Sequence, residues 1–342
     1  MQSPPAILEK YRARIEEYIY KVSSVEDINI ANAIKYHFGW LDLEGKLDSS
    51  MQGKGIRSSL CMFACEAVGG VLDNALQGAA AVEFVHNFSL IHDDIQDQDI
   101  ERRHRPTAWT IWGVPIALQV GNYMRILSDL IVKNNLNLAL DNNLRLECTE
   151  ILSRAYLETV EGQYLDLEYE GKINITIDEY LSMIGRKTGA LISCALTLGA
   201  LLGTDDQRKV KELSEFGRIL GVVFQIRDDY LGIWGLEEDT GKKPANDVRR
   251  KKNSLPIIHV FQNATQADMK EISAIYRKRE MDETDVERVL SILNSVSTIE
   301  YMGGLTNDYS RSALNMLDKI KIDKMYKTEL QELIEFLLIR DR

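Results

Sequence analysis

From Ile116 to Lys243 this chain contains no proline, and its apolar residues recur at intervals of three and four. Proline breaks helix interiors, so a stretch of this kind folds as long helices with short connections and almost no strand. The other prolines are confined to Pro4, Pro5, Pro106, Pro115, Pro244 and Pro256. An all-α chain is therefore expected. The pattern places helices at about 6–22, 26–38, 53–68, 71–98, 111–134, 142–170, 177–202, 207–235, 265–277, 283–321 and 324–340, with Gly303-Gly304 as a candidate break in the 283–321 segment. A further helix starts around Lys251–Pro256. No internal repeat or low-complexity linker divides the sequence, so residues 1–342 read as a single domain.

Composition removes several classes of function. Hydrophobic residues make up 45% and charged residues 27% of the 342, which is a globular balance. A net charge of −11 argues against a nucleic-acid partner. Charges interrupt every apolar run before membrane-spanning length, and no basic segment precedes an apolar run at the N-terminus. No membrane span and no secretory signal are expected, and the compartment read from this is the cytoplasm. Cys61, Cys65, Cys148 and Cys194 sit in apolar helical contexts, and no further Cys or His completes a zinc pattern. They read as buried free thiols in a reducing compartment.

The segment Glu83–Asp97 is apolar through its body and acidic at its end. Asp93 and Asp97 are four apart, so on a helix they share one face. Carboxylates stacked at the negative end of a helix repel each other unless a cation joins them. Oxygen ligands with open positions suit Mg²⁺ completed by phosphate oxygens. The same layout recurs at Phe224–Tyr230, where Asp228 and Asp229 end an apolar run. Basic residues flank both pairs: Arg102 and Arg103 after the first, Lys242, Lys251 and Lys252 after the second. Metals plus cations imply a polyanion, and a diphosphate is the reading taken. Lys54 and Arg57 stand at a Gly-rich helix start, a second candidate anion site.

Taken in order, these motifs resemble the trans-isoprenyl diphosphate synthases of the polyprenyl synthetase family. The resemblance runs from about Gly53 to about Pro256. It rests on Gly53-Lys54-Gly55-Ile56-Arg57, Asp93-Asp94-Ile95-Gln96-Asp97, Arg102-Arg103-His104-Arg105-Pro106-Thr107, Gly162-Gln163-Tyr164-Leu165-Asp166, Lys187-Thr188, and Gln225 through Asp228-Asp229. The resemblance implies a single bundle of mostly antiparallel helices around a central cavity, and geranylgeranyl diphosphate synthases are the members it favours. It also implies head-to-tail condensation of isopentenyl diphosphate with an allylic diphosphate (dimethylallyl, geranyl or farnesyl).

By that resemblance Lys54, Arg57, His86 and Arg103 hold isopentenyl diphosphate. Arg102, Lys187, Lys242 and Lys252 meet the allylic diphosphate. Asp93, Asp97 and Asp228 hold Mg²⁺, three ions per site, with Mn²⁺ able to substitute. Lys187, Thr188 and Gln225 direct dipoles at the developing allylic cation, and the released diphosphate is the base. Asp94, Gln163, Asp166 and Asp229 support these groups from behind. Family members pair through central helices, and 111–134 is apolar on more than one face, so a homodimer is expected. Three departures stand out: Ser58 for a proline, Asn122 for an aspartate, and Gly232 where the second motif carries a third Asp.

Product length is read from the helix before Asp93. Phe88, five residues back, lies about 7.5 Å down the axis at 1.5 Å per residue. With small Ser89 beside it and no insertion in the first motif, the pattern resembles archaeal-type geranylgeranyl diphosphate synthases, with a twenty-carbon product. Farnesyl diphosphate synthase is the alternative. Two further readings compete. A class I terpene cyclase needs no second diphosphate site and would carry a different second motif, whose key positions are Gly232 and Leu236 here. A non-catalytic partner subunit would lose the first Asp motif, which this chain keeps.

Overall fold

The computed structural model describes residues 5–48, 53–135, 142–235 and 243–339. The chain starts with α1 (Ala6–Glu9), α2 (Arg12–Val22) and α3 (Ile28–Phe38), then α4 (Ile56–Ala67) and α5 (Leu72–Gln96). The helix expected over 6–22 is thus two pieces, bent at Lys10 and Tyr11, whose side chains both reach Glu66 of α4. Asp27 caps α3, accepting from the amides of Asn29 and Ile30 at 2.8 and 3.1 Å.

After α5 comes a two-residue hairpin, β1 (Glu101–Arg102) and β2 (Arg105–Pro106). Its central residues Arg103 and His104 have φ of +52° and +58°, the arrangement a tight primed turn requires. Arg105 stacks on Tyr36 at 4.0 Å, and the Tyr36 hydroxyl donates to the Pro106 carbonyl at 2.9 Å, which clamps the hairpin to α3. The helix expected over 111–134 is α6 (Ala108–Trp112) and α7 (Val114–Asn135), separated where Gly113 takes φ +80°.

Helix α8 spans Asn142–Tyr169, and α9 (Ile177–Ile184) opens on a capping box between Thr176 and Glu179. The segment expected as one helix over 177–202 contains a π turn, Gly185–Gly189, before α10 (Ala190–Gly203). Helix α11 (Gln207–Trp234) carries the second acidic motif. The rest is α12 (Asn246–Arg249), α13 (Leu255–Asn263), α14 (Gln266–Arg277), α15 (Glu283–Ser295), α16 (Thr298–Lys319) and α17 (Lys324–Ile339). The expected break at Gly303-Gly304 is wrong. Both glycines lie inside α16, and the chain turns earlier, at Ser297 with φ +54°.

The fold is all-helical apart from the hairpin and one isolated bridge between Leu41 and Leu47, among the described residues. Helix α5 is central, packed against α4, α7, α8 and α10. Its apolar body is buried almost all round, which explains why its sequence shows no polar stripe until Asp93. The four cysteines are free and buried. A second apolar cluster forms below Ile233 from α12 to α15, around Val248, Ile257, Ile272 and Val289. No described helix is long and apolar enough to cross a membrane.

One contact fixes the geometry of the π turn. A Cβ on Gly162 of α8 would lie 2.3 Å from the backbone nitrogen of Lys187. Backbone cannot yield as a side chain can, so α8 and the π turn touch only because residue 162 is glycine. Gly162→Ala would gain about 1 kcal/mol of helix propensity but lose about 1–3 kcal/mol to overpacking. The expected net result is a lower urea midpoint; a stabilised variant would contradict the close approach.

Candidate active site

Two neighbouring cavities meet at the C-terminal ends of α5, α8 and α11. One, of about 770 Å³, is lined by Lys54, Arg57, His86, Phe88, Ser89, Asp93, Arg102, Arg103, Gln163 and Thr188. The other, of about 1120 Å³, is lined by Asp97, Asp166, Asp229 and Lys252. Gln96, Lys187, Gln225 and Asp228 line both and form the neck between them. Residues read from widely separated stretches of sequence therefore converge on one space. Lys242 lies outside the described residues.

On the basic side, Arg57 Nη1 stands 3.2 Å from His86 Nε2. A guanidinium has no acceptor, so it donates and Nε2 carries the lone pair; His86 is neutral with its proton on Nδ1. Burial pushes His86 well below the ordinary histidine range, and Arg57, Arg103 and Arg102 push it further. Arg103, carried by the hairpin turn, lays its guanidinium directly on Gly53. The helix start of α4 and the hairpin thus present their cations to one another across the end of α5.

In each acidic pair the first Asp faces the cavities and the second is anchored. Asp94 is buried and accepts from Nε and Nη2 of Arg102 at 2.8 and 2.7 Å. Asp229 is buried and accepts from the Tyr180 hydroxyl at 2.6 Å, the Gln225 amide at 3.0 Å and the Leu255 amide at 3.2 Å. Burial nevertheless pushes its carboxyl up to about 7. Gln225, so held, turns its carbonyl to accept from Thr188 Oγ1 at 2.7 Å.

Lys187 projects from the π turn to the neck, where its ammonium donates to Asp166 at 2.5 Å. Burial would push this lysine down, but Asp166, Asp93 and Asp97 outweigh it and hold it above its ordinary range. Burial raises the Asp93 carboxyl to about 6; Lys187 opposes the rise and Asp97 adds to it. Gln163 ties α8 to α5 by donating to Gln96 at 2.9 Å.

Gly232, where a third Asp was looked for, has a physical explanation. A Cβ there would lie 2.1 Å from Asp247 Oδ2, so the Asp247 carboxylate of α12 already fills that space. Ala245 is the residue before α12, which Asn246 opens. Lys252 reaches the larger cavity, whereas the Lys251 ammonium is also taken up by the backbone carbonyls of Lys278 and Arg279.

Sequence reasoning missed three residues. Arg250 pairs with Asp99 at 2.5 Å and donates to the Asp97 carbonyl at 3.0 Å, bridging α12 to the end of α5. Its basic run was visible, but not which member would turn inward. Tyr180, on an apolar helix, gave no signal for its bond to Asp229. Tyr156 of α8 stands against Phe88, with ring centroids 5.3 Å apart.

The cavity-facing carboxylates fit a hard divalent cation. Their donors are all oxygen, and among the described residues no three acidic, His or Cys side chains close into a finished cage. That leaves positions for water and phosphate oxygens, as Mg²⁺ prefers.

The Asp93 shift has a testable sign. Unfolded, this carboxyl ionises near 3.8; folded, it keeps its proton to about 6. Between those values the folded state binds more protons, so the group lowers stability as pH rises. In chelator, Asp93→Asn and the parent should melt together near pH 4, and the variant should melt higher above about pH 6. A difference that does not change with pH would contradict the burial argument.

Residues 43–293 match the model of the polyprenyl synthetase family. The chain is 35% identical to a geranylgeranyl diphosphate synthase of Mycobacterium tuberculosis, over 84% of this chain and 81% of that one. It is 31% identical to a (2E,6E)-farnesyl diphosphate synthase of Mycobacterium bovis, over 92% and 87%. Its fold superposes on a polyprenyl synthetase from Streptomyces coelicolor with a TM-score of 0.90 at 29% identity, covering 98% of this chain and 99% of that one. By motif order, by sequence and by fold, the chain belongs to the polyprenyl synthetase family.

Proposed function

We propose that this chain condenses isopentenyl diphosphate head to tail with an allylic diphosphate, as a prenyltransferase making short-chain all-trans prenyl diphosphates, with geranylgeranyl diphosphate as final product. The observation that carries the reading is the neck. Asp228 and Lys187 line both cavities, with Asp93 on the smaller one beside Lys187, and so stand between a basic cluster with a neutral His86 and a second cavity bearing Lys252. A site for one diphosphate would need only one of those basic groups. The relatives' names support the product class, and the small Ser89 beside Phe88 favours twenty carbons over fifteen.

In this reading Lys54, Arg57, His86 and Arg103 hold isopentenyl diphosphate, with the neutral imidazole as part of the cradle. Arg102, Lys187, Lys242 and Lys252 take the allylic diphosphate. Mg²⁺ held by Asp93, Asp97 and Asp228 supplies Lewis-acid stabilisation of the leaving diphosphate. Lys187 stabilises that same departing charge. Thr188 and Gln225 offer oxygen dipoles to the allylic carbon as it becomes positive, without acting as nucleophiles. Asp229, itself held by Tyr180, accepts from the Gln225 amide and so fixes the Gln225 carbonyl beside the Thr188 hydroxyl. Asp166 aims Lys187, and Asp94 aims Arg102. The apolar wall of Phe88, Leu191 and Phe224 excludes water from the cation.

The exposed face of α7 supports a homodimer. Ile116, Tyr123, Ile126 and Leu130 are all exposed on α7, and Leu157 is exposed on the neighbouring α8. Apolar patches of this kind mark interaction sites. The expected species by light scattering at micromolar concentration is a dimer, and Ile126→Glu should shift it towards monomer. A monomeric parent would remove this assignment.

Labelled isopentenyl diphosphate incubated with each allylic starter should be converted to twenty-carbon product, with activity lost in chelator and restored by Mg²⁺ or Mn²⁺. Arg57→Ala should raise KM for isopentenyl diphosphate at least tenfold more than KM for the starter, and Lys252→Ala should do the reverse. Conversion of an allylic diphosphate to a hydrocarbon without uptake of isopentenyl diphosphate would favour a cyclase instead. No turnover by the purified chain alone would favour a partner subunit.

A further inference from the structure

Phe88 does not close the apolar cavity alone. Its ring meets that of Tyr156 edge-on, with centroids 5.3 Å apart and planes at 66°. Both rings line the same cavity of about 770 Å³. They come from different helices, α5 and α8, which the Gln163–Gln96 bond ties together at the neck. At 1.5 Å per residue, Phe88 lies about 12 Å below Gln96 and Tyr156 about 10.5 Å below Gln163. The two rings therefore stand at one depth and touch, forming one continuous level of the cavity lining.

Each ring has a further neighbour. His92, one turn nearer Asp93 on α5 and lining the same cavity, packs on Phe88 with centroids 4.7 Å apart. The Arg125 guanidinium of α7 lies 4.6 Å from the centre of the Tyr156 ring. Arg125 is itself held by Asp129 at 2.6 Å and Ser128 at 3.1 Å. Phe88 is only 4% exposed, and its ring edge packs towards Gly121 of α7, where an added Cβ would lie 3.4 Å from it. The hydroxyl of Ser89 is turned to its own helix, donating to the His86 carbonyl at 2.8 Å, and leaves the space beside Phe88 open. A growing apolar tail passing Ser89 would meet both rings together.

Resting on the reading of this cavity as the tail site, we infer that Tyr156 is a specificity-determining residue, and that the Phe88–Tyr156 pair, not Phe88 alone, sets product length. An aromatic ring deleted from a packed site leaves a void, because the surroundings relax only in part. A further five-carbon unit is apolar and can occupy that void. Loss of either ring opens one side of the floor; loss of both removes the level altogether.

The test is product-length analysis of the parent, Phe88→Ala, Tyr156→Ala, Tyr156→Phe and the double alanine variant. All receive the same starter and labelled isopentenyl diphosphate, and product lengths are compared at equal total incorporation. Tyr156→Ala should lengthen the longest main product by at least one five-carbon unit. Tyr156→Phe, which keeps the ring, should match the parent, and the double variant should exceed either single one. If Tyr156→Ala fails to fold, Tyr156→Leu takes its place with the same expectation. A parent-like distribution from these ring-deleted Tyr156 variants, in a protein that Phe88→Ala lengthens, would overturn the inference. A parent that elongates nothing would instead overturn the proposed function, and this inference with it.

Discussion

The arrangement depends on a buried charge balance at the neck. Asp93 sits where burial alone would keep it protonated, with Asp97 adding repulsion. Lys187 is the cation that offsets this, and it reaches the neck only because the backbone passes through a π turn. That turn in turn lies flush on α8 at Gly162. Remove the close contact and the ammonium moves; move the ammonium and the carboxylates lose their counter-charge.

The second member of each aspartate pair explains how so many charges stay placed. Asp94 and Asp229 are buried and anchored, one on Arg102, the other on Tyr180, Gln225 and the start of α13. Truncating a partner of either carboxyl would leave a buried polar group short of a hydrogen bond, at a cost of about 1–3 kcal/mol. These residues therefore act on their cavity-facing neighbours through position. Gly232 and Asp247 show the same logic: a carboxylate from α12 stands where the second motif lacks one.

Much of this was legible in the sequence. Helical period and missing proline gave the fold class, and the motif residues in the described regions cluster as a single site. What the sequence hid were features set by tertiary contact. The breaks at Tyr11, Gly113 and Ser297 follow local backbone turns, while Gly303-Gly304, the more obvious candidate, is simply helical because nothing there demands a turn. Periodicity counts turns of 3.6 residues, so one wider turn at 185–189 is invisible to it. Tyr156 and Arg250 carry no motif; their importance comes from what faces them across other helices.

In the proposed reading one chain holds two diphosphates at once, with Asp228 and Lys187 between them. The most direct measurement is calorimetric titration of isopentenyl diphosphate into protein already saturated with Mg²⁺ and a non-ionisable allylic thiolodiphosphate. The account predicts one further diphosphate bound per chain, with affinity lost in Arg57→Ala. Binding that is mutually exclusive, with isopentenyl diphosphate only displacing the analogue, would contradict it.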